Sequence, residues 1–105
     1  MERIRYISVP LNEKGIEDYN YGKEESINIK VFELNEIEYN NIDEAGVFNE
    51  INNSCDLLID DYESEEISGK NLIIALDISI KNKCKILTQA LELAIEMNTL
   101  VGLDF

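Results

Sequence analysis

A chain of 105 residues with 22 acidic and 9 basic side chains carries a formal net charge of −13, which disfavours nucleic acid and anionic membranes as direct ligands. Its 45% hydrophobic and 30% charged residues describe a folded domain rather than a disordered one. At this length a single domain over residues 1–105 buries roughly two thirds of its unfolded surface, enough for one core without a metal or disulfide.

In chain order, residues 3–9 alternate as a strand that Pro10 should stop. Residues 11–26, polar and holding Gly15, Tyr19-Asn20-Tyr21 and Gly22, read as a long connection. Ile27, Ile29 and Val31 alternate with polar residues into Leu34, a second strand, with Ile37 and Tyr39 as its extension. Residues 43–52 read as a short helix with Asp43 as N-cap and Val47, Phe48 and Ile51 on one face, weakened by Gly46. Leu57-Leu58-Ile59 suits a short strand that runs into a solvent-facing acidic stretch.

Residues 72–80 fit a strand by alternation and a helix by face, and Ser68 as N-cap together with the length favours the helix. Residues 83–97 give the clearest helix: Cys84, Leu87, Ala90, Leu91, Ala94 and Ile95 share a face, while Gln89, Glu92 and Glu96 point outward. Lysines at its start oppose the helix dipole. Residues 99–105 close the chain as a strand. The expected fold is α/β or α+β: one small domain in which a sheet of about three to five strands is covered by two or three helices.

The charge is not spread evenly. Between Val31 and Gly69, 39 residues hold 12 carboxylates and no lysine or arginine. Such segregation is opposed by self-repulsion and needs an offset such as solubility, a cation or a basic partner. Any one of these carboxylates is most simply a solvated surface charge; the absence of cations across the block is what suggests a binding surface.

The absences narrow the chemistry. Zero histidines remove the commonest general base, the commonest metal ligand and every Ser–His or Cys–His nucleophile pair. Ser68-Gly69-Lys70 lacks the upstream glycine of a phosphate loop, and no stretch fits GxGxxG. A carboxylate-only enzyme would need an aromatic-rich cleft, and the chain has no tryptophan. Asp60-Asp61 with Glu63, Glu65 and Glu66 offers oxygen ligands for a hard cation but has neither the glycine nor the spacing of an EF-hand loop. Cys55 and Cys84 read as small buried hydrophobes. No 18-residue apolar run or secretory leader is visible, which suggests a cytoplasmic protein. The expectation is a non-enzyme with no cofactor, no metal and no catalytic residue.

Acidic side chains interleaved with Tyr39, Phe48 and Tyr62 combine an electrostatic funnel with aromatic anchors. Asp43, Glu44, Asp56, Asp60, Asp61, Tyr62, Glu63, Glu65 and Glu66 are the candidate partner-binding residues. Their complement is a protein whose active site is positive because it must hold phosphates, such as a nuclease.

From residue 57 the chain reads Leu57-Leu58-Ile59-Asp60-Asp61-Tyr62-Glu63, then Glu65-Glu66-Ile67, two helices and the ending Val101-Gly102-Leu103-Asp104-Phe105. This stretch, less than half of the chain, resembles small acidic immunity proteins of bacterial toxin–immunity systems, the contact-dependent growth inhibition type among them. The resemblance implies a cytoplasmic inhibitor, monomeric and 1:1 with its toxin, that plugs or covers a cognate toxin, often a nuclease. The residues leave two other readings open. A nucleic-acid mimic would space its carboxylates along a ridge, and a generic acidic interaction module would have no tight basic partner.

Overall fold

The computed structural model describes residues 3–23 and 25–105; Met1, Glu2 and Glu24, the last inside the connection expected over 11–26, lie outside them. The fold is α+β. Four strands, β1 (Arg5–Pro10), β2 (Ile29–Leu34), β3 (Ser64–Ser68) and β4 (Leu100–Asp104), form one antiparallel sheet in the order β2-β1-β4-β3. Five helices accompany it: α1 (Glu13–Asn20), α2 (Glu36–Glu44), α3 (Val47–Cys55), α4 (Asn71–Lys81) and α5 (Lys85–Met97). None is long and apolar enough to cross a membrane.

Strand alternation decides the two faces of the sheet. Ile7, Val9, Leu34, Ile67, Val101 and Leu103 point inward, all fully or almost fully buried, and α2–α5 supply the other half of that core. Leu87, Ala90, Leu91 and Ala94 of α5 are inaccessible to solvent, as the sequence periodicity required; Ile95, expected on the same face, is partly exposed instead. Leu91→Ala is expected to destabilise the fold by about 2–5 kcal/mol, the usual loss when a buried leucine is truncated. Urea unfolding measures it, and a change below about 1 kcal/mol would mean that α5 does not pack as described.

Several expectations fail for identifiable local reasons. The supposed connection over 11–26 contains α1, started by Asn12, whose side chain accepts a hydrogen bond from the Gly15 N–H at 2.8 Å. Ile37 and Tyr39 do not extend β2. Asn35 and Glu38 form a reciprocal capping box, with bonds of 2.8 and 3.0 Å, that starts α2 at once. The helix expected over 43–52 is two helices. Asp43 ends α2 rather than capping a start, and Gly46 separates them at φ +78°, a left-handed angle that suits glycine.

Residues 57–59 are not a strand. The strand on that side of the sheet is β3, inside the acidic run, anchored by Ile67 alone. Ser68 therefore ends β3 and does not cap α4, which starts after Lys70. Pro10 is the last residue of β1, as a residue without an N–H must be near a strand end. Cys55 and Cys84 are buried free thiols, and burial pushes both of their pKa values up.

Helix α1 alone lies on the outer face, and two glycines let it approach. A Cβ on Gly15 would stand 2.2 Å from the Asn28 carbonyl oxygen, and one on Gly102 would stand 2.2 Å from the Tyr19 hydroxyl. Tyr19 of α1 therefore packs directly against β4 at Gly102.

Candidate functional site

Arg5 ends the inward row of β1 and is only 3% exposed. Its guanidinium stacks on the Tyr39 ring at 3.7 Å and donates two parallel bonds of 3.0 Å to the Asp61 carboxylate. A further bond of 3.3 Å reaches Glu36. Arg3 also pairs with Asp61 and lies over the Tyr62 ring at 3.9 Å. The carboxyl of Asp61 is held below the ordinary aspartate range, first by its hydrogen bond from Arg5, then by Arg3, against the opposing effect of burial. The acidic block thus contains no cation in sequence but receives two in space, Arg5 at the start of β1 and Arg3 just before it. Asp61, one of the expected partner-binding residues, holds the 60–62 turn to Arg3 and Arg5.

That turn presents Tyr62. Its backbone adopts φ +66°, a left-handed conformation that a bulky side chain rarely takes, and its ring is 80% exposed. The Glu63 N–H donates to the Asp60 carbonyl at 3.3 Å, and the Glu63 carbonyl accepts from the Phe105 N–H at 3.1 Å, so the strained turn is fastened at both sides. The approach to it is clasped by Asn52, which accepts from the Ile59 N–H at 2.7 Å and donates to the Ile59 carbonyl at 3.0 Å. Leu58, just before this clasp, is also 80% exposed. Asn49, Asn52, Leu58, Ile59, Asp60 and Glu63 line a shallow groove of about 450 Å3 beside the turn.

The other candidate residues divide. Burial raises the pKa of Tyr39, and the fields of Asp61, Asp43 and Asp60 add to the rise, which places those three carboxylates at one end of the molecule. Asp43 and Glu44 occupy the last turn of α2 and Asp56 caps α3 at φ 57°, so all three stand where the helix dipole disfavours a carboxylate. Glu65 points to the helical side of the sheet edge and is used internally, accepting from the Leu58 and Glu66 N–H groups at 3.0 Å each. Glu66 belongs to the outer face, opposite Gly102 in β4, away from the turn. The turn therefore gathers Asp60, Tyr62 and Glu63 with Leu58, and Asp43 acts on the Tyr39 ring that Asp60 and Asp61 also reach; Asp43 and Glu44 precede the start of α3, whereas Asp56 stands at its far end.

Three of the block's twelve carboxylates find basic partners: Glu36 on Arg5, Asp61 on Arg3 and Arg5, and Glu50 on Lys81. Among the described residues the other nine have none. Among the described residues, too, no group of three or more acidic or cysteine side chains stands together as a metal site. Sequence reasoning missed Leu58, taken for part of a strand, and the roles of Arg3 and Arg5, whose one visible signal was an arginine at an inward position of β1. No protein-family model, curated protein or solved structure matches this chain.

Proposed function

We propose that this protein is an immunity protein that neutralises a cognate bacterial toxin, a basic nuclease domain, by laying the 56–63 loop over its phosphate-holding active site. The observation that carries this reading is the loop itself: two apolar side chains, Leu58 and Tyr62, are held 80% exposed between Asp56, Asp60 and Glu63, which have no basic partner among the described residues, and one of them sits on a strained backbone. Strain of this kind, of order 1–3 kcal/mol, persists where the surroundings over-determine it, and the Arg5–Asp61 and Asn52 clasps do that here. Carboxylates steer a basic partner and speed encounter, while a desolvated aromatic anchor sets the lifetime of the complex.

The loop favours this reading over nucleic-acid mimicry, because a ridge of phosphate-like charges has no use for an exposed leucine and tyrosine among them. In this account the chain contributes no catalytic group and acts as a 1:1 partner in the cytoplasm. Co-expression tests it. A basic protein captured on this chain should be toxic when produced alone and harmless when produced with it, and an equimolar amount of the purified chain should abolish its cleavage of DNA or RNA. Cleavage that continues unchanged in excess of this chain would refute the proposal.

A further inference from the structure

The outer face of the sheet carries a second feature that the loop does not use. Its side chains form two rows across the strands: Glu33, Tyr6, Asp104 and Ser64 in one, Val31, Ser8, Gly102 and Glu66 in the next. With α1 and Tyr19 as one wall, these rows bound an open groove of about 830 Å3. Glu33, Glu66 and Asp104 line it together with Tyr6 and Tyr19. Burial, then the fields of Asp104 and Glu66, pushes the Tyr19 hydroxyl up to about 12, so these charges converge on that ring.

Among the described residues lining the groove, Lys23 is the one cation, and it is engaged by Asp18 at 3.3 Å. Glu33, Glu66 and Asp104 have no basic partner among the described residues; Asp104 accepts a bond of 3.0 Å from the Ser64 hydroxyl. Ser8 lies on the floor. It is 8% exposed and lines the groove, and among the described residues its hydroxyl meets no hydrogen-bond partner. The hydroxyl itself is not sealed off from solvent, and the groove that Ser8 lines is where a partner can reach it.

Spacing selects the kind of cation. Glu33 and Asp104 are two strands apart, so their backbones stand about 10 Å from each other, with Tyr6 between them. Glu66 is diagonal to Asp104, at roughly 7–8 Å. Among the described residues no three such carboxylates stand together as a metal site, whereas a chain with ammonium groups at its ends can reach carboxylates spaced this way. We propose that this groove binds a linear aliphatic polyamine: one terminal ammonium on Glu33, the other between Asp104 and Glu66, the methylenes along the Tyr6 and Tyr19 rings, and the Ser8 hydroxyl accepting a hydrogen bond from an ammonium group.

Titration of isotope-labelled protein with spermidine, followed by amide chemical shifts, tests the assignment. The expected result is saturable 1:1 binding with shifts confined to Tyr6, Ser8, Gly102, Glu66 and their neighbours. Glu33→Gln with Asp104→Asn should weaken it at least about tenfold, while Glu92→Gln with Glu96→Gln, an equal loss of charge on α5, should leave it unchanged. Tyr6→Ser, at an exposed position, serves if the first pair fails to fold, and should weaken binding without altering charge. Unsaturable shifts over the whole acidic surface, or equal losses in both charge variants, would show a mere counter-ion atmosphere and overturn the proposal. A trilysine peptide that binds these residues more tightly than spermidine would overturn it as well, by making the face a protein-docking surface.

Discussion

Arg5→Met is expected to destabilise the fold by about 2–4 kcal/mol, more than any other change of a charged side chain in this protein. The guanidinium is buried, it stacks on Tyr39, and it supplies the bonds that hold Asp61 and Glu36. Methionine refills much of the volume but leaves Glu36 without its cation and Asp61 with Arg3 alone. Asp61 is one-third exposed, so water recovers part of the loss, and the expected figure lies below that for a fully buried pair. Arg5→Lys should restore little, because an ammonium offers neither the planar fork nor the stacking surface.

The pH dependence carries the same signature. The Asp61 carboxyl has a depressed pKa in the folded protein, so its contribution to stability is fully present above the ordinary aspartate value, about 4, and fades as pH falls through the folded value. Arg5→Met should reduce that acid-sensitive component to the share that Arg3 holds. Urea unfolding at neutral and acid pH reads both effects. A loss below about 1 kcal/mol at neutral pH would mean that Arg5 does not hold the loop.

Tyr62→Gly should separate binding from stability. Glycine adopts the left-handed angle without strain, which offsets the lost contact with Arg3, so stability should stay within about 1 kcal/mol of the parent protein. Binding should suffer far more. A desolvated tyrosine anchor typically contributes about 2–4 kcal/mol on truncation, mostly through faster dissociation. Asp60→Asn with Glu63→Gln should act on the other rate, lowering association by about 10- to 1000-fold at low salt and much less at high salt. Surface plasmon resonance with the captured toxin resolves the two rates. Retained affinity in Tyr62→Gly would remove Tyr62 from the interface.

The elements legible in the sequence are those whose own periodicity decides them. In α5, the spacing of Leu87, Ala90, Leu91 and Ala94 admits one packed face, and β4 is a short apolar run because it is a central strand between β1 and β3. The elements that escaped depend on a cap or a neighbour. Alternation through Ile37 and Tyr39 suggested a strand, but the capping box of Asn35 and Glu38 acts on the backbone directly and prevailed. Helix α1 shows little apolar pattern because its close approach rests on the smallness of Gly15. Strand β3 buries only Ile67 and forms because β4 offers an edge.

The site follows the same division. Clustered acids were visible in the chain, and so was Tyr62 among them. Which face each acid takes was not, because it depends on the parity of β3 and on Arg3 and Arg5 at the start of the chain's first strand. Parity sent Glu66 to the outer face, whereas Asp61 went to the arginines and Glu65 to the backbone of its own loop.

Capture from the host lysate on the tagged protein, in parallel with a Tyr62→Gly, Asp60→Asn, Glu63→Gln variant and at low and high salt, tests the central claim most directly. A single basic protein with nuclease activity, held by the parent chain, released by salt and missing from the variant, is the predicted result. The same set of proteins on both baits, or a basic nuclease held equally by the variant, would contradict the assignment of the 56–63 loop as the surface through which this protein acts.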